Sequence, residues 1–179
     1  MLIDPQGRIY VGHFGYDIAG RAEPQPASLL LVTPGGGISE VAGDLVFPNG
    51  IALSADGKTL VVAETFAHRL TAFDVQPDGS LSNRYTWASL PDHYPDGICM
   101  DARGGVWVGC TRKEQFLRVE SGGYVSRRIE TPGRWAIACA LGGPNESKLF
   151  CATAETTQER MAAGDSRGFI EMADLGPPS

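Results

Sequence analysis

One phrase occurs twice in this chain and constrains its fold more than anything else. Phe47-Pro48-Asn49-Gly50-Ile51 returns as Tyr94-Pro95-Asp96-Gly97-Ile98, so Asn49 and Asp96 stand 47 residues apart (96 − 49). Each copy opens a longer unit. After Asn49 come an apolar run, a turn at Ser54-Ala55-Asp56-Gly57-Lys58 and the strand-like Leu60-Val61-Val62-Ala63; after Asp96 come Ile98 to Met100, a turn at Asp101-Ala102-Arg103-Gly104-Gly105 and Val106-Trp107-Val108-Gly109. The grammar recurs at Asp4-Pro5-Gln6-Gly7-Arg8 before Ile9-Tyr10-Val11-Gly12, and at Gly143-Pro144-Asn145-Glu146-Ser147-Lys148 before Leu149-Phe150-Cys151-Ala152. Four units with a period in the forties specify a repeat architecture, and the unit of that size built from short strands is a β-propeller blade.

The remainder of each unit agrees. Residues 69–75 alternate as a third strand, Pro77-Asp78-Gly79 makes a turn, and residues 81–88 supply a fourth strand at the outer edge. The next unit repeats this with residues 116–119, a Gly122-Gly123 turn and residues 124–129. No helix-length stretch carries a 3.6-residue apolar period; residues 155–163 predict one short helical turn inside a loop. The expected fold is therefore all-β, a single partial propeller domain over residues 1–179 with about four blades. The first unit starts at its turn, with only Met1-Leu2-Ile3 left of its innermost strand, so N-terminal blades are expected to be missing.

Composition excludes several function classes. A formal charge of −6 and a pI near 5.0, with no basic run interleaved with aromatics, argue against a nucleic-acid partner. The N-terminus lacks the basic and apolar regions of a signal peptide, and no apolar stretch is long enough to span a bilayer. Cys99, Cys110, Cys139 and Cys151 sit in apolar strand-like contexts without a CxxC pair, which fits core thiols in a reduced, cytoplasmic protein better than zinc ligands. Pro34-Gly35-Gly36-Gly37 lacks the lysine and helix of a phosphate loop, and no Gly-x-Ser-x-Gly elbow is present. Glu64, near Arg69, reads as a buried hydrogen-bonded carboxylate. Trp107, Trp135 and Phe150 read as core residues between blades. His13, His68 and His93 fall in three units with no metal-pair spacing; His93, close to Asp96, is a candidate to touch substrate.

Several segments jointly resemble the SMP-30/gluconolactonase/regucalcin family of sugar-lactone hydrolases. They are residues 4–12, Phe47-Pro48-Asn49-Gly50-Ile51-Ala52-Leu53-Ser54, Val62-Ala63-Glu64-Thr65, His68-Arg69-Leu70-Thr71, Pro95-Asp96-Gly97-Ile98-Cys99, Trp107-Val108-Gly109-Cys110 and Cys139-Ala140-Leu141-Gly142-Gly143-Pro144, in the family's order and spacing. The resemblance covers the family's C-terminal two-thirds. It implies a six-bladed propeller whose channel holds one divalent cation, whether calcium, zinc, manganese or magnesium, on a glutamate from the first blade, the Pro-Asn-Gly asparagine and the Pro-Asp-Gly aspartate. Asn49 and Asp96 match the second and third ligands. The glutamate has no counterpart here, and a substrate-holding asparagine of the family would fall just before Met1.

The implied chemistry suits those residue types. A bound cation polarises a lactone carbonyl and lowers the pKa of a coordinated water, and oxygen ligands suit hard ions. By resemblance Asp96 is also the general base, or orients the attacking water. Two alternatives stand beside this. Asn-Gly and Asp-Gly are strong turn formers, so the phrase could merely start each inner strand. A chain short of a ligand could also be a non-catalytic propeller fragment or binding module.

Overall fold

In the computed structural model, which describes residues 1–176 apart from 18, 19 and 21, the chain is a four-bladed β-propeller. The first blade comprises β1 (Leu2–Ile3), β2 (Ile9–Gly12), β3 (Ala27–Val32) and β4 (Ile38–Leu45). The second comprises β5 (Pro48–Leu53), β6 (Thr59–Glu64), β7 (Arg69–Val75) and β8 (Leu81–Ser89). The third comprises β9 (Tyr94–Met100), β10 (Val106–Thr111), β11 (Gln115–Val119) and β12 (Val125–Glu130). The fourth comprises β13 (Trp135–Gly142), β14 (Lys148–Glu155) and β15 (Arg167–Asp174). Within each blade the strands are antiparallel and ordered as in sequence. The expected helical turn is α1 (Gln158–Ala162), capped by the Thr157 side chain.

The repeated turns are built from side chains as well as glycine. Asp4 Oδ1 accepts the N–H groups of Gln6 and Arg8, both at 2.9 Å, while Arg8 Nε holds Oδ2 at 2.6 Å. Asp101 repeats the device: Oδ1 accepts from the N–H of Arg103 and Gly105, both at 3.0 Å, and Arg118 Nε holds Oδ2 at 2.6 Å. An aspartate that caps its own turn this way fixes the hairpin before any long-range contact forms.

Packing follows the alternation of side chains along each strand. Leu60 and Val62 of β6 join Tyr10, Leu29, Leu31 and Leu45 of the first blade in one core. Val61 and Ala63, on the opposite face, join Val106, Val108 and Leu117 of the third blade in another. Trp107, which points away from that core, packs with Phe116 against Ala136, Leu149 and Cys151 of the fourth blade. The three cores are the three interfaces between blades. Middle-blade strands are thus buried on both faces, whereas β15 alternates between exposed and half-buried residues.

Phe150 corrects a sequence expectation. It is 41% exposed on the outer face of the fourth blade, in register with Met172 and near Ile170, which is 76% exposed. Ile3 and Ile38 lie similarly open on the first blade. The alternation of residues 149–152 matches that of an inner blade, but no neighbouring blade within the described residues covers this face.

Candidate active site

The inner strands β5 and β9 lie side by side, and glycine lets them do so. A Cβ on Gly50 would fall 2.4 Å from the Asp96 carbonyl oxygen and 2.6 Å from the Ile98 nitrogen; one on Gly97 would fall 2.5 Å from the Ala138 Cβ in β13. The repeated phrase is therefore no hairpin turn. Asn49-Gly50 and Asp96-Gly97 lie inside strands, where the ladder register slips between Pro48 and Ile51 and again opposite the step from Val108 to Cys110. Such a slip re-aims side chains out of the regular alternation. We expect Gly97→Ala to cost about 1–3 kcal/mol, because the atoms it meets belong to backbone and Cβ and cannot swing away; chemical denaturation measures this.

Asn49 and Asp96 are brought together. The Asn49 side chain hydrogen-bonds the Asp96 carboxylate, and Asn49 Nδ2 also donates to Thr65 Oγ1 at 3.3 Å. Thr65 Oγ1 in turn donates to the Pro95 carbonyl at 2.7 Å. With the amide nitrogen so engaged, Asn49 Oδ1 is left without a protein donor among the described residues. Burial lifts the Asp96 carboxyl from its ordinary 3.8 to about 6, against the opposing hydrogen bonds from Asn49 and the Gly97 N–H. The site holds a half-buried carboxylate with no cationic side chain paired to it among the described residues. Ile137 occupies the corresponding place in the fourth blade, where the register also slips, and adds no donor oxygen.

That donor set fits a hard divalent cation in part. One carboxylate and one amide oxygen supply two of the six to eight oxygens that calcium takes, and no group of three or more His, Cys, Asp or Glu is placed to hold a metal among the described residues. His93 is otherwise engaged: its Nε2 lies 3.0 Å from Gln115 Nε2 and its Nδ1 2.9 Å from the Pro91 carbonyl, while its own carbonyl receives His68 Nδ1.

Sequence reading missed the rim of this site. Phe47 and Tyr94 each stand two residues before the polar residue of their phrase, and Trp135 stands two before Ile137. Phe47 stacks between Phe14 and Phe66 with ring centroids 4.5 Å away on each side, Phe66 meets Tyr94, and the Arg112 guanidinium lies 4.8 Å from the Tyr94 ring and 5.9 Å from Trp135. Trp135, expected in a core, is a half-buried rim residue. The signal was legible as one aromatic at the same offset in three units.

Glu64 is fully buried, as its sequence context implied. Its carboxylate accepts from Arg69 Nε at 2.8 Å and Nη2 at 3.1 Å, from the Thr71 hydroxyl, and from the Val46 N–H at 2.7 Å; Arg84 Nη2 lies 3.5 Å away. Burial raises its carboxyl, but these hydrogen bonds outweigh that effect and hold it below the usual range. Because Val46 precedes Phe47-Pro48-Asn49, this anchor positions the strand that carries Asn49.

Residues 1–155 match the family described as SMP-30/Gluconolactonase/LRE-like region. Regucalcin of Xenopus laevis is 28% identical over 157 residues, covering 85% of this chain and 52% of the relative. Regucalcin of Homo sapiens is 26% identical over 181 residues, covering 97% and 58%. Among solved structures, a luciferin-regenerating enzyme superposes with a TM-score of 0.82 at 21% identity over 97% of this chain and 60% of its own. A gluconolactonase from Xanthomonas campestris superposes with a TM-score of 0.68 at 32% identity over 83% and 51%. The chain thus spans little more than half the length of these relatives. No helix among the described residues is long and apolar enough to cross a membrane.

Proposed function

The chain belongs to the SMP-30/gluconolactonase/LRE-like family, and from that membership and the Asn49–Asp96 pair we propose that it carries part of the active site of a metal-dependent hydrolase. Its substrate would be a sugar lactone, opened to the aldonic acid. The observation behind this reading is the half-buried carboxylate of Asp96, hydrogen-bonded to a neutral amide and paired with no cationic side chain among the described residues.

Asp96 and Asn49 Oδ1 would hold the divalent cation, whether calcium, zinc, manganese or magnesium, and a cation bound there would polarise the lactone carbonyl. Asp96 acts as general base, taking a proton from the water whose oxygen attacks the carbonyl carbon. The ring C–O bond then breaks, and the ring oxygen takes up a proton to become a hydroxyl. Asn49 orients the carboxylate through its side-chain hydrogen bond, and Thr65 holds the amide. In the metal-free site burial lifts this carboxyl to about 6, and a cation held by it would pull that value down, so the base is ionised at neutral pH. His93 would contact substrate only by giving up Gln115 or the Pro91 carbonyl, which engage its two ring nitrogens. All four cysteines are free thiols, which suits a cytoplasmic location.

The test is acid release from gluconolactone by the purified chain, with and without each cation. We expect chelation to abolish turnover and Asn49→Ala to weaken the cation dependence about 10–100-fold. The second reading, a non-catalytic propeller, rests on the absence of a third ligand among the described residues. Turnover indifferent to every cation and to chelation would overturn the mechanism, and absence of turnover in all conditions would favour that second reading.

A further inference from the structure

Cys99 on β9 and Cys139 on β13 belong to adjacent blades and stand 40 residues apart in sequence, yet their sulfurs lie 3.6 Å from each other in S–H···S contact. Both are partly exposed, whereas Cys110 and Cys151 are buried. Cys139 Sγ also contacts the carbonyls of Trp107, at 3.6 Å, and of Gly97, at 3.9 Å, which places it beside β9, the strand that carries both Cys99 and Asp96. We propose that Cys99 and Cys139 form a reversible disulfide that clamps the third blade to the fourth.

The sulfurs need to close from 3.6 Å to about 2.05 Å. The oxidant is a low-molecular-weight disulfide. The Cys99 thiolate attacks one sulfur of that disulfide and expels a thiolate, which leaves a mixed disulfide on Cys99. Cys139 then gives up its proton, attacks the Cys99 sulfur and expels the second thiolate. Two protein thiols are oxidised, one small disulfide is reduced to two thiols, and both protons go to the leaving groups. The order follows from the surroundings: the Cys99 contact and burial push the Cys139 thiol well up, so Cys139 keeps its proton until the second step. Two strands otherwise joined only by packing, where Gly97 rests on Ala138, become covalently tied.

The folded wild-type chain is incubated with oxidised glutathione and analysed by intact mass, non-reducing peptide mapping and thermal melting. The expected product is lighter by two hydrogens, contains a Cys99–Cys139 linked peptide, melts at least about 5 °C higher, and reverts with dithiothreitol. Cys139→Ser should instead trap glutathione on Cys99. A wild-type product that retains glutathione on Cys99, a link involving Cys151 or Cys110, or unchanged thiols in the folded protein would each overturn the proposal.

Discussion

Glu64→Gln is expected to destabilise the fold by roughly 2–4 kcal/mol, because it neutralises a fully buried carboxylate whose cationic partner Arg69 is about a third exposed, and leaves buried donors without their acceptor. The amide has the shape of the carboxylate but presents an N–H₂ to a set of donors: Arg69, Thr71 and the Val46 N–H. At least one buried donor then loses its acceptor, and the charge on Arg69 loses its counter-ion. The loss corresponds to a melting midpoint lower by roughly 5–15 °C. The pH dependence carries a second signature. A carboxyl held below its unfolded value contributes stability that is complete above the unfolded pKa and disappears as pH falls through the folded one. Wild type should therefore lose stability on the acid side, and Glu64→Gln should show a shallower acid limb. A variant that melts within a degree or two of wild type would show that the site relaxes around the amide. Asn49 should also feel the change, since Val46 ties Glu64 to the segment leading into β5.

Much of this architecture was legible because a blade is a local object. The Asp4 and Asp101 turns, each capped by its own aspartate, are specified within five residues, and their repetition gave the number of blades. The inter-blade cores also follow from strand alternation, as with Leu60 and Val62 against Val61 and Ala63. What sequence could not supply is which faces find a neighbour: Phe150 has the pattern of Trp107 and none of its burial. The site divides the same way. Asn49 and Asp96 were found through their shared phrase, but the reason for the glycine that follows each was not. It lies in contacts to another blade, between Gly50 and the Asp96 carbonyl and between Gly97 and Ala138. The Cys99–Cys139 contact was equally invisible, since nothing in a 40-residue separation indicates that two inner strands place their sulfurs together.

The inner strands explain why a propeller can carry such a site. The inner strands β5, β9 and β13 deliver Asn49, Asp96 and Ile137 at the same offset, so the proposed ligand set would be assembled from rigid strands instead of loops. The fourth blade forms its inner strand, register slip included, with Ile137 at that position and no polar side chain. The corollary is that a residue kept for chemistry need not favour the fold.

Asp96→Asn is expected to make the metal-free protein more stable and inactive. The folded carboxyl ionises near 6 and the unfolded one near 3.8, so below about pH 4 both are protonated and Asp96 costs nothing. As pH rises from about 4 to 6 the unfolded chain releases its proton and the folded chain does not, and stability declines; above that range the full cost of a buried charge is present. The difference amounts to roughly 1–3 kcal/mol, which the amide avoids. In chelator, Asp96→Asn should melt above wild type at pH 8 and match it near pH 4. Adding a divalent cation should reverse the order, because wild type gains stability by binding while the variant has lost its charged ligand. Lactone hydrolysis should fall by about 10²–10⁴-fold with the general base removed. Equal melting of the two proteins at pH 8 in chelator would mean that water reaches the carboxylate and burial does not raise it. A wild-type midpoint unmoved by calcium, magnesium, manganese and zinc would sink the assignment of Asp96 as a ligand.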